Sequence, residues 1–349
     1  MVKCLVWDLD NTLWQGTLLE DGEVRLAEEI RQVVKELDAR GILQAVASRN
    51  DHEPTWARLT ELGIAEYFVL AEIGWGPKSG SVAAIAQRLN FAPKTIAFID
   101  DQPAERAEVQ YHLPEVRCYP ASQALELTSL PEFTPTTRTI DSGKRRAMYQ
   151  ANFRRDAERS QYTGPDEDFL RSLQLELTIV RATEAELSRV EELTLRTSQM
   201  NATGVHYSDS VLRDLVADPA HEVLVATLTD RFGTHGAIGV LLVEYHAAVW
   251  HLKLLATSCR VVSFGVGTAI LNWLCAQAFQ AGVHLAADFR RTDRNRMMEI
   301  AYRFAGFEDS SCPCLDSVAA SPDVQRLHLA GEHRDPPNTM RLSTPTLTR

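Results

Sequence analysis

The sequence has no apolar run of the roughly 20 residues that a membrane-spanning helix requires. It also lacks a secretory leader pattern: Met1-Val2-Lys3-Cys4-Leu5-Val6-Trp7-Asp8 reaches an acid too early and shows no small-residue cleavage site. A cytoplasmic protein with no membrane partner is therefore expected. Positive charge is in deficit, and the formal net charge is −11. Nucleic acid is disfavoured as a partner, because its phosphates would be repelled without a strong local basic patch. Cysteine is sparse and scattered, at Cys4, Cys118, Cys259, Cys275, Cys312 and Cys314. None forms a C-x-x-C pair, and Cys312-Pro313-Cys314 is too tight for a zinc knuckle and reads as a loop. In a reducing compartment each cysteine is a thiol, serving either packing or nucleophilic chemistry. No internal repeat is present.

What the sequence does have is length and alternation. Its 349 residues suffice for two domains, and its 45% hydrophobic and 24% charged residues are those of a soluble globular protein. Residues 3–7 form an apolar run ending in acids, 42–47 a second ending at Ser48, and 67–70 a short third. A fourth, 95–99, ends at Asp100-Asp101, and 116–119 is a candidate fifth. Between them Ile30, Val33, Val34 and Leu37, and later Val82, Ile85, Ala86 and Leu89, recur at helical spacing, with Gly41 suited to a helix C-cap. This rhythm predicts an α/β fold: a parallel sheet covered by helices, with ligands at the carboxyl ends of its strands. Residues 131–168 change character. Pro131, Pro135, Thr136, Thr137 and Thr139 make a loop, a charged helical stretch covers 144–159, and Gly164-Pro165 breaks the chain. A second α/β region follows, with strands expected at 175–180, 222–227, 237–245 and 249–255 and helices at 184–197, 208–217, 266–281 and 295–305. After about residue 318 the chain is rich in Pro, Ser, Thr and Arg and is expected to be poorly ordered. The expected organisation is a first domain over 1–133, a linker over 134–167, a second domain over 168–315 and a tail over 316–349.

Chemistry gathers near the ends of the first predicted strands. The first runs into Asp8-Leu9-Asp10-Asn11-Thr12. Two acids two apart can reach one pocket as the chain leaves the sheet; one can attack phosphorus while the other shuttles a proton to the leaving group. The second ends in Ala47-Ser48-Arg49-Asn50-Asp51, where a hydroxyl and nearby backbone N–H groups suit phosphate oxygens. Lys78, in Gly76-Pro77-Lys78-Ser79, supplies a cation against a transferring phosphoryl group. Asp100-Asp101 adds carboxylates for Mg²⁺, a hard ion that prefers carboxylate and water oxygens. An isolated D-x-D is ordinarily a solvated turn, but four such elements in this order are not. The set resembles the haloacid-dehalogenase superfamily. The resemblance implies Asp8 as nucleophile, Asp10 as general acid/base and backbone metal ligand, and Ser48 and Lys78 as the second and third motifs. Asp100 and Asp101 match the fourth, with Asp101 a direct metal ligand. Thr12, Ser48, Arg49, Asn50 and Lys78 are the expected phosphate-binding set, and Asp8, Asp10, Asp100 and Asp101 the expected metal set. The spacing from Asp10 to Ser48 leaves no room for a large cap between them.

The second region carries Leu254-Leu255-Ala256-Thr257-Ser258-Cys259-Arg260-Val261-Val262-Ser263-Phe264-Gly265-Val266-Gly267, an apolar strand running into a loop and then a helix. Backbone N–H groups at that helix start suit a phosphate or a pantetheine arm. Arg260 favours thiolate at Cys259, and a thiolate there can take an acyl group and pass it on. The alternative for Cys259 is a buried small hydrophobe, the common fate of a free cysteine and the one Cys4 and Cys275 fit. Over residues 3–307 the chain resembles the FkbH-like proteins of polyketide biosynthesis, which join a haloacid-dehalogenase-like domain to an acetyltransferase-like (GNAT) domain. The matching pieces include Trp7-Asp8-Leu9-Asp10-Asn11-Thr12-Leu13-Trp14, Gly76-Pro77-Lys78-Ser79 and Ile99-Asp100-Asp101-Gln102-Pro103-Ala104-Glu105-Arg106. They continue through Arg196-Thr197-Ser198-Gln199-Met200-Asn201, Asp230-Arg231-Phe232-Gly233, Ser258-Cys259-Arg260-Val261, Asn295 and Phe304-Ala305-Gly306-Phe307.

The resemblance implies a HAD-like Rossmannoid parallel-sheet domain, a GNAT-like mixed α/β domain, and glyceryl transfer. The D-glyceryl group of 1,3-bisphosphoglycerate would be held as a thioester on Cys259, with Arg260 and Asn201 near the acyl oxygen. Phosphate would be removed, and glyceryl delivered to a phosphopantetheinylated acyl carrier protein. An acidic carrier would seek a basic patch, for which Lys144, Arg145, Arg146, Arg154 and Arg155 are candidates against the plainer reading of a solvated helix face. Two other readings stay open: a Mg²⁺-dependent phosphatase of a small phosphorylated metabolite with an accessory GNAT-like domain, and a non-catalytic scaffold that docks the carrier.

Overall fold

Every residue of Cys4–Trp7 is buried, and so is every residue of Leu43–Ser48 and Ile96–Asp100. Strands with one wet face alternate in exposure; strands buried throughout belong to a parallel sheet with helices on both sides. In a computed structural model, which describes residues 1–134, 142–196, 200–293, 295–319 and 323–347, that is the arrangement. The chain divides into two units, Met1–Gln150 and Ala151–Arg349.

The first unit runs β1 (Cys4–Trp7), α1 (Leu18–Asp21), α2 (Glu28–Ala39), β2 (Leu43–Ser48), α3 (His52–Glu61), β3 (Phe68–Ile73), α4 (Lys78–Leu89), β4 (Ile96–Asp100), α5 (Pro103–His112) and β5 (Arg117–Pro120). Its five strands pair in parallel in the order β3-β2-β1-β4-β5. β1 is central. The chain leaves it first toward β2 and later returns beside it as β4, which opens a crevice at the carboxyl ends of these strands. Val33, Val34 and Leu37 of α2 bury against Leu5, Trp7 and Val46 of the sheet. Gly41, at φ +74°, closes α2: its N–H donates to Asp38 and that of Ile42 donates to Leu37. Helices α3 and α5 were not expected because their periodicity is weak; α3 buries only Thr55 and Leu59, and α5 only Val109. Between Asp10 and Ser48 lie α1, α2 and connecting loops, with no domain-sized insertion.

The division between units falls within α6 (Arg145–Gln161). Then follow α7 (Asp166–Ser172), β6 (Leu175–Arg181), α8 (Glu184–Arg196), α9 (Asp209–Ala217), β7 (His221–Asp230), β8 (Gly233–Tyr245), β9 (Val249–Thr257), α10 (Val266–Ala281), β10 (His284–Phe289), α11 (Arg296–Phe304), β11 (Gln325–Leu329) and β12 (Met340–Ser343). The sheet is mixed, in the order β11-β10-β9-β8-β7-β6-β12. β6 to β9 are antiparallel neighbours, whereas β9 and β10, joined by the α10 crossover, are parallel. The α/β class and the two kinds of sheet are those expected. Among the described residues no helix is long and apolar enough to cross a membrane.

Two expectations are corrected. The segment after residue 318 is not an unstructured tail: β11 pairs with β10, β12 pairs with β6, and Leu327, Leu329, Met340 and Leu347 join the core. Partners distant in sequence order these strands, and local composition does not show them. The arginines of the charged stretch are neither an open basic patch nor a free solvated face. Within the first unit Arg145 donates to the Gly41 carbonyl at 3.0 Å and Arg146 pairs with Asp38 at 3.0 Å. Within the second, Arg154 donates to the Phe232 carbonyl and Arg155, 4% exposed, pairs with Asp230 at 2.6 Å. Lys144 is exposed. The predicted loop residues Pro135, Thr136, Thr137 and Thr139 lie outside the described residues.

Candidate active site

β1 stops at Trp7 and the chain turns sharply. The N–H groups of Thr12, Leu13 and Trp14 all converge on the Leu9 carbonyl, and Asn11 takes a left-handed φ of 54°. The turn keeps Asp8 and Asp10 at the carboxyl end of the sheet. Asp10 is fixed by three donors: Trp14 Nε1 at 2.9 Å and the Leu18 N–H at 3.0 Å on one oxygen, and Asn50 Nδ2 at 2.8 Å on the other. The Asn50 amide also reaches Ser48 Oγ at 3.2 Å. Buried Asn50 Oδ1 has no hydrogen-bond partner among the described residues. Thr12 Oγ1 accepts from the Asp101 N–H at 2.9 Å, so the first and fourth motifs are tied directly.

Lys78 opens α4 and is 2% exposed. Its ammonium donates to Asp8, to Asp100 at 3.1 Å and to the Ala47 carbonyl at 2.9 Å, and pairs with Glu105 at 3.2 Å. Arg49 bonds the Gly76 carbonyl and pairs with Glu105 at 3.0 Å, so its guanidinium is engaged at the rim. Asp8, Asp100 and Asp101 each offer an oxygen within 4.8 Å of the others. The Asp10 carboxylate is not in that group, which leaves its backbone carbonyl as the atom for the expected metal role.

This buried cluster holds more negative charge than positive. Burial pushes Asp8 up to about 6, against the pull of Lys78. Burial, and then the charge of Asp8, push Asp100 up to about 7, again opposed by Lys78. Burial would lower Lys78, but Asp8 and Asp100 outweigh it and raise its pKa. Three convergent carboxylates with one shared ammonium fit a hard, oxygen-seeking dication such as Mg²⁺.

In the second unit, β9 runs through Ser258 into a short turn at Cys259–Phe264, and Gly265 at φ +74° leads into α10. Ser258 Oγ accepts from the Arg260 N–H at 3.4 Å and from Arg260 Nε at 3.3 Å. The Cys259 side chain and residues Thr197, Ser198 and Gln199 lie outside the described residues. A cavity of about 350 Å³ beside this turn is lined by Asn152, Arg155, Arg159, Phe169, Arg260 and Phe264, among others. Sequence reasoning did not find its Arg155 and Arg159 wall, whose residues come from α6.

The Asn201 amide is engaged within its own loop. Its Oδ1 accepts from the Thr203 and Gly204 N–H groups and its Nδ2 donates to the Val205 carbonyl, which uses the side chain to build a turn. The backbone here has another use. β9 and β10 pair only between Val249/His284 and Leu252/Ala287. Beyond that, residues 200–202 wedge between them: the Thr257 N–H donates to Met200, that of Ala202 to Leu255, and that of Arg290 to Ala202. Buried Asn295 Nδ2 donates to the carbonyls of Asn201, Ala202 and Arg290 at 2.9–3.2 Å and fixes the wedge. Asp230 likewise builds structure, accepting from the Phe232 and Gly233 N–H groups, Arg155 and the His235 ring.

Residues 18–108 match the family model of haloacid dehalogenase-like hydrolases. The matched stretch holds Ser48, Lys78, Asp100 and Asp101 and begins after Asp8, Asp10 and Thr12. A search of curated protein sequences finds no match. Among solved structures, the chain is similar to the N-terminal part, containing the phosphatase domain and complexed with Mg, of a Bacteroides fragilis protein. The identity is 29% and the TM-score 0.36, over 39% of this chain and 42% of that one, so less than half of that structure is spanned. It is also similar to the ribosomal-protein-S18-alanine N-acetyltransferase of Escherichia coli (15% identity, TM-score 0.31, 44% of this chain and 90% of that one). A third similar structure is Ard1 of Thermoplasma volcanium (15%, TM-score 0.33, 45% and 99%). The stretch that matches the haloacid dehalogenase-like hydrolase model thus lies within the parallel-sheet unit, and a mixed-sheet α/β unit follows it.

Proposed function

We propose that the chain is a two-site enzyme. A Mg²⁺-dependent phosphoryl site in the first unit and an acyl-transfer site at Cys259 in the second would move D-glyceryl from 1,3-bisphosphoglycerate to a phosphopantetheinylated acyl carrier protein. The observation that carries the phosphoryl half is the cluster of Asp8, Lys78, Asp100 and Asp101 at the strand ends. An Asp8 oxygen attacks phosphorus as the bond to the leaving oxygen breaks, and Asp10, held by Trp14, Leu18 and Asn50, gives that oxygen its proton. Asp10 then takes a proton from the water that cleaves the aspartyl-phosphate, which restores Asp8 and releases phosphate. Lys78 and Ser48 hold phosphoryl oxygens meanwhile. Asp8, Asp100, Asp101 and the Asp10 carbonyl would hold Mg²⁺, which when bound would supply further positive charge against those oxygens.

In the acyl half, the Cys259 thiolate attacks the acyl-phosphate carbonyl, a C–S bond replaces the C–O bond, and phosphate leaves. The thioester formed is 3-phosphoglyceryl; its remaining C3–O–phosphate is the bond that the Asp8 site would hydrolyse, and the carrier's thiol takes the resulting glyceryl group and returns Cys259 to its starting state. The cavity beside the Cys259 turn, where Arg155, Arg159 and Arg260 stand with Asp156 and Asp166, supports a polar substrate there, and the motif resemblance over residues 3–307 supports glyceryl. Against this stands a plain phosphatase reading, favoured by a family match confined to 18–108. Incubation with Mg²⁺, 1,3-bisphosphoglycerate and a holo carrier protein, followed by intact-mass analysis of both proteins, separates the two. Glyceryl transfer requires an adduct on this chain that Cys259→Ala removes. Phosphate release with no acyl adduct on either protein leaves the phosphatase.

A further inference from the structure

In the antiparallel β10/β11 pair, Ala286 stands across from His328. His284 lies two residues before Ala286, so both imidazoles face the same side of the sheet. His284 Nδ1 lies 2.9 Å from His328 Nε2. The segment after α11 crosses this face: Cys314 and Leu315 pack with Val249, Ala286 and Val318. Two thiols arrive with it, Cys312 Sγ at 3.5 Å and Cys314 Sγ at 3.4 Å from the same His284 Nδ1. The four donor atoms all lie within 4.8 Å of one another, and both cysteines are unbridged.

Hydrogen bonding alone accounts poorly for this meeting. One ring nitrogen carries either a single proton or a single lone pair, yet three polar atoms converge on His284 Nδ1. Four nitrogen and sulfur donors this close together are, in contrast, the set that a metal shell requires. We propose that His284, Cys312, Cys314 and His328 form a four-coordinate Zn²⁺ site. Tetrahedral zinc, with bonds of about 2.3 Å to sulfur and about 2.05 Å to nitrogen, spaces its sulfur and nitrogen donors about 3.6 Å apart and its nitrogens about 3.4 Å apart. The two thiol distances to His284 are already of that size, and the two rings need part by only about 0.5 Å. Two thiolates and two neutral imidazoles suit a borderline-soft dication and not Mg²⁺, which demands oxygen. Binding converts the two thiols to thiolates and releases two protons. All four tetrahedral positions are filled by protein, so the ion is a structural clasp that ties the segment before β11 to β10 and β11. The Cys-Pro-Cys spacing is too tight to read as zinc-binding by itself; the sheet register supplies the other half.

The full-length chain, prepared without a histidine tag and stripped by chelator under reductant, tests this. Titration with Co²⁺ should raise thiolate-to-cobalt charge-transfer bands and the visible bands of tetrahedral cobalt, saturating at one equivalent and displaced by Zn²⁺. The other candidate groups, Asp8/Asp100/Asp101 and Glu244/His246/His251, contain no sulfur and cannot give those thiolate bands. Zn²⁺ should also slow alkylation of Cys312 and Cys314 about tenfold or more while sparing Cys118. The double variant Cys312→Ser/Cys314→Ser should lose the bands and the bound equivalent. Absence of thiolate bands and of alkylation protection in the wild-type chain overturns the site, whether or not the variant folds. So does a Cys312–Cys314 disulfide, lighter by two hydrogens, in protein kept under reductant.

Discussion

Replacing Lys78 with methionine removes one ammonium and keeps most of the side-chain volume. That ammonium meets Asp8, Asp100 at 3.1 Å and Glu105 at 3.2 Å. At an effective dielectric of 20, a unit pair about 3 Å apart attracts by about 5 kcal/mol. The desolvation of buried ions offsets most of this gross attraction, and removing one partner of such a pair costs about 3–5 kcal/mol net. Lys78→Met should therefore destabilise the first unit by that amount at pH 8 without divalent cations. The loss should depend on pH. Asp8 and Asp100 already have raised folded pKa values, about 6 and about 7, and without Lys78 they rise further. A carboxylate whose folded pKa is raised stabilises the fold below its unfolded pKa, and that contribution is lost as pH rises through the folded value. The penalty is thus largest above pH 7 and shrinks toward pH 4, where the carboxylates are protonated. Hydrogen exchange of peptides over β1 and β4 reports this unit by itself, with urea unfolding alongside. A loss under about 1 kcal/mol at pH 8 in metal-free buffer would refute the charge-balancing role of Lys78. So would an equal loss at pH 5 and pH 8.

By the same sign, the wild-type first unit without metal should lose stability as pH rises from about 4 to about 7, and added Mg²⁺ should stabilise it more at the upper end; denaturation at stepped pH with and without Mg²⁺ checks this. Asp8→Asn should lower phosphate release by on the order of 10⁴-fold while preserving the fold, as read by a phosphate assay and circular dichroism. Asn295→Ala leaves the carbonyls of Asn201, Ala202 and Arg290 without its amide, and should cost the second unit about 2–4 kcal/mol in urea unfolding. Asp230→Ala leaves buried Arg155 unpaired and should cost about 3–5 kcal/mol. Because the hydrogen bonds from His235 and Arg155 overcome burial and hold Asp230 well below the usual carboxylate range, its contribution is present above about pH 4 and is lost as pH falls.

The parts of the fold legible in the sequence are those written locally. The run Cys4–Trp7 ends at acids, and Val33, Val34 and Leu37 mark the buried stripe of α2. The acids at the ends of β1 and β4 and the lysine opening α4 meet because a parallel sheet brings its strand ends together, so their order in sequence was enough to foresee one cluster. β10 was illegible: His284-Leu285-Ala286-Ala287-Asp288-Phe289 has no β-branched residue, and only its place between β9 and β11 makes it a strand. The Cys312/Cys314 cluster was missed for the same reason, since the register that carries His328 toward His284 belongs to those two strands. Asn201 and Asp230 were legible as motif residues but not in their use, because a motif does not say whether a polar side chain meets a ligand or its own backbone.

Charge balance separates these two uses. The Asp230 side chain and Asn295 are buried, but their polar atoms are partnered: Asp230 accepts from a guanidinium, an imidazole ring and two N–H groups, and the Asn295 amide donates to three carbonyls. Such partnering of a buried carboxylate or amide stabilises a fold. At the ends of β1 and β4 the same degree of burial leaves Asp8 and Asp100 with raised pKa values and one shared ammonium. An assembly built only for stability would gain by replacing such a group with apolar residues. Its excess negative charge is relieved by protonation at low pH or, near neutrality, by a cation added from outside. That imbalance is the physical reason to expect a cation beside Asp8, and the order of the motifs is the reason to expect phosphoryl chemistry with it.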